Sequence, residues 1–177
     1  RDAGRLVVGA TASALVAGRT VWHEQLERRI ARFEGTEAAV LFPSGYAANV
    51  GTLTSLVTEH DAVFRDRDNH ASIIDGCRAA AGQMFVYRHH ELKRLAEAIH
   101  RRRSQFDQVF IVTDSVFSMD GVIAPLRELC RIADQFDAQM IVDEAHGTGV
   151  FGPPGRGICE ALGLDDRICV RIGTLSK

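Results

Sequence analysis

No apolar run in these 177 residues approaches the roughly 18 that a membrane-spanning helix requires. No signal peptide precedes the first predicted helix either, so neither membrane insertion nor secretion is expected. The four cysteines, Cys77, Cys130, Cys159 and Cys169, never form a C-x-x-C pair, which argues against a zinc site and against a secreted disulfide framework. A reducing, cytoplasmic setting is the expectation, with the thiols in or near a core. Charge of one sign is also lacking: 21 basic residues face 23 acidic ones, for a formal net charge of −2. The only basic run, Arg101 to Arg103, falls on a predicted helix, so nothing reads as a footprint for nucleic acid. No histidine has a partner at H-x-x-x-H spacing, and no metal is expected. His89, His90 and His100 read as solvated, and His60 as a loop residue beside Asp61. No internal repeat, low-complexity tract or interdomain linker is visible. The chain begins without Met and stops on Lys177 directly after an apolar run, and a fragment is expected.

What is present is enough apolar material for one core, 46% hydrophobic residues with 25% charged. The segment "WHEQLERRIARFEG" sets Trp22, Leu26, Ile30 and Phe33 on one helical face and stops at Gly35. "AAVLF" then predicts a buried strand and "SGYAANVGTLTSLV" a turn opening a helix. The alternation continues with strands at "DAVFRD", "MFVY", "QVFIVTD", "AQMIVD" and "RICVRIG". Helices are predicted between them at "HASIIDGCRAAAG", at "ELKRLAEAIHRRR" and over Leu126, Leu129, Ala133 and Phe136. Short continuous apolar strands alternating with helices predict an α/β fold: a mainly parallel sheet with helices on both faces, three layers deep.

One stretch, "IVDEAHGTGVFG", carries Gly147, Gly149 and Gly152 in the spacing of a dinucleotide fingerprint. Such a loop must leave its strand at once and open a helix, whose N-terminus holds the pyrophosphate. Here the strand ends at Asp143, three residues intervene, and Pro153-Pro154 follows the last glycine. The nucleotide reading is therefore disfavoured.

Ligands of open parallel sheets bind beyond the carboxyl ends of the strands. There the sequence places Ser44, Asp68, His70, Asp114, Ser118, Asp143, His146, Thr174 and Lys177. Any one of them is most simply a cap or turn residue; five successive strand ends supplying such groups point to a site. A sheltered lysine forms a Schiff base, and a carboxylate keeps a pyridine nitrogen protonated. A glycine turn at a helix start offers N–H groups to a phosphate, and a histidine can stack on a ring. Together these are the requirements of pyridoxal 5'-phosphate.

The segments "LFPSGYAAN", "DRDNHASIIDG", "VFSMDGVIAPL", "IVDEAHGTGVFGPPGRG" and "GTLSK" resemble the α-oxoamine synthases, from about Gly18 to Lys177. These pyridoxal-phosphate enzymes condense an amino acid with an acyl-CoA thioester and usually decarboxylate the product to an α-amino ketone. The resemblance implies the large domain of a fold-type I enzyme over residues 36–177, an N-terminal segment with a helix over 1–35, and a C-terminal domain outside this chain. It gives Lys177 the Schiff base and the α-proton, Asp143 the pyridine nitrogen, and His146 the phenolic oxygen. His70 stacks on the pyridine ring and touches substrate. Gly45 and Tyr46 meet the phosphate region through the backbone, helped by Thr174, and Ser118 contacts the phenolic-oxygen side. Asn49 is a further candidate, near the lysine. A homodimer is implied, with no nucleic acid and no membrane as partners. Ala14 stands where the family usually has an arginine, with Arg19 nearby. Of the family's activities, the expectation is the bacterial one joining alanine to a pimeloyl thioester in biotin synthesis. Acetyl transfer to glycine or another member's reaction is the alternative, and an aminotransferase is less favoured.

Overall fold

The computed structural model describes residues 12–177, so the first eleven residues of the expected N-terminal segment lie outside it. The chain divides into two compact units between Leu41 and Phe42.

In the first unit a single π-helical turn, Ala14–Gly18, precedes helix α1, Val21–Glu34. Thr20 starts α1, its backbone N–H donating to His23 Nδ1 at 3.1 Å. Gly35 ends it at φ 68°, a conformation that costs glycine little. The helix is where the sequence predicts it, but its buried side is not. Trp22 is 52% exposed, and Leu26 and Phe33 are exposed too, while Glu27 and Ala31 are buried. The reason is polar: the Glu27 carboxylate accepts from both terminal nitrogens of Arg19, at 2.7 and 3.3 Å, and from Leu41 N at 3.1 Å. These bonds turn that side of the helix inward, and among the described residues no element of the unit covers Trp22, Leu26 and Phe33. A cleft of about 880 Å³ lies in this unit between Arg19, Glu27, Arg28, Arg32 and residues 36–39, and none of the expected site residues lines it. The expected strand "AAVLF" is not formed. Its residues have no ladder partner in the sheet, and Val40 is 70% exposed.

The second unit opens with helix α2, Gly45–Leu56, and then alternates: strand β1, Ala62–Asp66; α3, Ala71–Ala79; β2, Gln83–Tyr87; α4, Leu92–His100. Strand β3, Val109–Asp114, α5, Leu126–Phe136, and β4, Gln139–Asp143, follow. After the short α6, Ile158–Ala161, comes β5, Val170–Ile172. The five strands form one parallel sheet in the order β2-β1-β3-β4-β5.

Alternation along each strand feeds two cores, as the period of a strand requires. Ala62, Phe64, Val109, Ile111, Met140 and Val142 face one core, closed by Leu95 and Ile99 of α4, Leu126, Leu129 and Ala133 of α5, and Ile158 of α6. Val63, Phe110, Val112, Ile141 and Ile172 face the other, closed by Leu53 of α2 and Ile73 and Cys77 of α3. Helices therefore cover both faces of an all-parallel sheet, the three-layer arrangement the alternation predicts. Cys77, Cys130 and Cys159 are buried, and burial pushes the Cys77 thiol up to about 12. Cys169 is exposed, against expectation, because it stands just before the short edge strand β5. Among the described residues no helix is long and apolar enough to cross a membrane.

Candidate active site

Three strands end in aspartate: β1 in Asp66, β3 in Asp114 and β4 in Asp143. Asp114 and Asp143 are register partners on adjacent strands, so parallel pairing sets two carboxylates side by side at one rim. Each is buried and each is given donors. Asp143, 5% exposed, accepts from Asn49 Nδ2 at 2.7 Å on one oxygen and from Ala145 N at 2.8 Å on the other. Asp114 Oδ2 accepts from Asn69 Nδ2 at 2.9 Å and from His70 N at 3.0 Å. Burial pushes the Asp114 carboxyl above the usual carboxylate range and the neighbouring Asp143 charge adds to this, while the Asn69 and His70 donors pull the other way.

His70 caps the start of α3, its Nδ1 accepting from Ser72 N at 3.3 Å and lying 2.7 Å from Ser72 Oγ. Ser72 Oγ in turn accepts from Asn49 Nδ2 at 3.0 Å. A continuous path thus runs from the Asp143 carboxylate through Asn49 and Ser72 to the His70 ring. It joins β4, α2 and α3.

Ser44 caps α2, its hydroxyl accepting from Ala47 N at 3.1 Å. The N–H groups of Gly45 and Tyr46 are among the first four that an α-helix leaves without internal acceptors, at its positive end. A methyl group added at Gly45 would lie 4.0 Å from Thr174 Cβ, so the loop after β5 closes on this helix start. The Tyr46 side chain points elsewhere, its hydroxyl donating to Asp75 Oδ2 of α3 at 2.9 Å, which leaves its backbone as the part available here. Thr174 Oγ1 accepts from Ser176 N at 3.3 Å. Ser118 sits exposed on the turn held by Phe117 N to Val122 O, His146 is half-buried, and Lys177 is exposed beyond β5.

Asp68 does not join this set. Both its oxygens are held by the Arg67 guanidinium, at 2.8 and 2.9 Å, which lowers its pKa. His89 does not behave as a solvated residue: its ring stacks on Phe117 at 4.6 Å, and its Nδ1 lies 3.3 Å from each oxygen of buried Asp66. Asp66, Asp68 and His89 thereby bring ligand-type atoms within 4.8 Å of one another. The Arg67 fork and the Asp66–His89 contact already engage these groups.

The glycine-rich stretch after Asp143 opens no helix until Ile158. Gly149, Gly152, Gly155 and Gly157 all take positive φ, so the segment is a folded loop. Its anchor is Glu144, which the sequence reading passed over. Glu144 Oε2 accepts from Ser115 Oγ at 2.7 Å and Ile158 N at 3.1 Å, and Oε1 from Cys159 N at 2.7 Å. Asp66, Asn69 and Ser72 were passed over too. A carboxylate followed by a long glycine loop is the signal that would have found Glu144, since the loop's main-chain donors need acceptors.

A five-stranded parallel sheet between helix layers, with its polar groups at the carboxyl rim, matches the large domain of fold-type I pyridoxal-phosphate enzymes. The chain belongs to the aminotransferase class I and II family, whose model matches residues 2–177. It is 52% identical over 173 residues to a protein of Bacillus licheniformis described as a putative 8-amino-7-oxononanoate synthase, covering 98% of this chain and 45% of that one. It is 51% identical to the 8-amino-7-oxononanoate synthase of Citrifermentans bemidjiense, covering 96% of this chain and 43% of that one. Among solved structures, the serine palmitoyltransferase of S. paucimobilis with bound PLP–myriocin aldimine superposes with a TM-score of 0.90 at 37% identity, covering 95% of this chain and 42% of that one. The 8-amino-7-oxononanoate synthase of Francisella tularensis gives 0.69 at 34% identity, over 82% and 41%. The chain thus spans under half the length of these relatives.

Proposed function

We propose that this chain is the cofactor-binding part of a pyridoxal-phosphate-dependent C-acyltransferase, 8-amino-7-oxononanoate synthase, which condenses L-alanine with a pimeloyl thioester in biotin synthesis. The observation that carries the reading is the buried Asp143 carboxylate at the end of β4, fixed by Asn49 and linked to His70. The donor set fits the cofactor: a buried carboxylate for the ring nitrogen, free helix N–H groups and a hydroxyl for the phosphate, and an exposed imidazole. The names of the relatives, at about half identity across nearly the whole chain, favour the biotin-pathway member.

When bound, pyridoxal phosphate supplies the electron sink that lets an amino acid lose its α-proton and attack a thioester. Asp143, acceptor-only when ionised, holds a proton on the ring nitrogen. The Gly45 and Tyr46 N–H groups and Thr174 bind the phosphate, the positive end of α2 favouring its charge. His70 would cover the ring, and Ser118 and His146 would meet its phenolic-oxygen side. Lys177 would hold the cofactor through Nζ and, once the substrate amine had displaced it, would be the base for the α-proton. The resemblance also implies a homodimer, and the free cysteines suit the cytoplasm.

The test is to supply the full-length protein with pyridoxal phosphate, L-alanine and pimeloyl-CoA, following cofactor absorbance and release of free thiol. Thiol release dependent on alanine is expected. Release with glycine and acetyl-CoA instead would favour the alternative synthase; amino transfer to a keto acid without thiol release would overturn the acyltransferase reading.

A further inference from the structure

Asp143, Asn49, Ser72 and His70 form a chain of hydrogen bonds whose direction is fixed at one end. A carboxylate only accepts, so the Asn49 atom 2.7 Å from Asp143 Oδ2 is the amide nitrogen. That nitrogen's second proton points to Ser72 Oγ at 3.0 Å. The Ser72 hydroxyl, accepting from Asn49, has its own proton to give, and His70 Nδ1 stands 2.7 Å away. A second donor converges on the same atom, Ser72 N at 3.3 Å. Ser72 is fully buried and Asn49 nearly so, so protein groups set the order along this part of the path. Each bond passes the direction to the next.

We infer that Asn49 and Ser72 set the tautomer of His70, holding Nδ1 as an acceptor and the ring proton on Nε2, so that His70 meets the bound ligand as a hydrogen-bond donor and not as a base. Asn49 and Ser72 are positioning residues: they act through His70. The same amide that orients Asp143 orients His70, so one side chain on α2 sets the polarity of two groups on different elements. That His70 faces a ligand at all rests on the reading above; its tautomer does not. The donor suits an anionic or carbonyl oxygen on the ligand, and a base drawing a proton from carbon must then come from elsewhere in the site.

The test is nitrogen NMR of the full-length protein without cofactor, labelled at histidine ring nitrogens, with the His70 signals identified by their loss in His70→Gln. At a pH where the ring is neutral, a protonated Nε2 and an unprotonated, hydrogen-bonded Nδ1 are expected. Ser72→Ala removes the stronger donor and raises the Nδ1–H fraction about tenfold, the effect of one hydrogen bond, and Ser72→Thr, which keeps the hydroxyl, restores the wild-type pattern. A wild-type ring protonated on Nδ1, or an even mixture, would overturn the inference. So would a folded Ser72→Ala variant whose tautomer is unchanged. If Ser72→Ala does not fold, Ser72→Cys, whose thiol is a weaker donor, takes its place with the same expected rise in the Nδ1–H fraction. A correct tautomer in a protein that shows no absorbance change with pyridoxal phosphate would sink the proposed function and leave this assignment standing.

Discussion

Replacing Glu144 by alanine should be among the most damaging single changes in the second unit. The carboxylate is 1% exposed and takes three hydrogen bonds, from Ser115 Oγ, Ile158 N and Cys159 N, all at 3.1 Å or less. Bonds to a charged group contribute about 1.5–3 kcal/mol each, and a buried donor left without an acceptor costs about 1–3 kcal/mol. Three such bonds sum to more than the variant will lose, since the loop relaxes and water reaches some of the freed groups. About 4–6 kcal/mol is expected, in the range reserved for broken buried networks. Glutamine separates charge from shape. It keeps one acceptor oxygen for Cys159 N, and its amide can donate to Ser115 Oγ, but Ile158 N is left unpaired, for about 2 kcal/mol. Urea unfolding of the full-length protein, read by a probe in this domain, gives both values. The reasoning is refuted if Glu144→Ala loses less than about 2 kcal/mol, or if alanine and glutamine lose the same amount. Proteolysis should show the consequence for the site: the loop from Gly147 to Gly157, tethered at its far end by the two main-chain bonds to Glu144, becomes cleavable.

Asp114→Asn removes a buried charge while keeping an acceptor for Asn69 and His70 N. Because the folded-state pKa of Asp114 is raised, its native state holds a proton that the unfolded chain has already lost, so wild type gains stability relative to Asp114→Asn as pH falls through the raised value towards the unfolded one near 3.8; parallel unfolding curves across that window would refute it. Gly157→Ala places a methyl group 2.6 Å from the Glu144 carboxyl carbon at φ 111°, and should cost about 2–4 kcal/mol in urea unfolding. Lys177→Ala should abolish covalent attachment of pyridoxal phosphate, whereas Asp143→Asn should leave attachment but reduce thiol release by at least about 100-fold; absorbance and thiol assays on the two variants check this pair.

Strand and helix order was legible because a parallel sheet buried on both faces writes itself as short apolar runs, and each of β1 to β5 comes from such a run. The strand ends were legible for the same reason: Asp143 is the first polar residue after its run, and Asp114 follows Thr113 at the end of its own. What failed were inferences about packing. The stripe of Trp22, Leu26 and Phe33 has helical period, but period says only that a face is apolar, and the bonds to Glu27 turned a different side inward. "AAVLF" has the composition of a strand, but a strand exists only against a neighbour, and composition names none.

Asn49 enters the sequence reading only as a candidate near the lysine, and the links that join the site into one network were illegible for a further reason. Asn49 lies 94 positions from Asp143, and Ser72 lies 23 from Asn49. Each is unremarkable in its own segment, a polar residue in the first turns of a helix, where capping and solvent explain it well enough. Their chemistry exists only once α2 and α3 pack side by side over the carboxyl end of β4. A motif reports the residues that must touch the ligand, since those recur in recognisable local patterns. The groups that aim them are chosen by tertiary contact, and here that contact gives Asn49 control of both Asp143 and His70. A substitution at Asn49 should therefore disturb two roles that the motifs assign to separate residues.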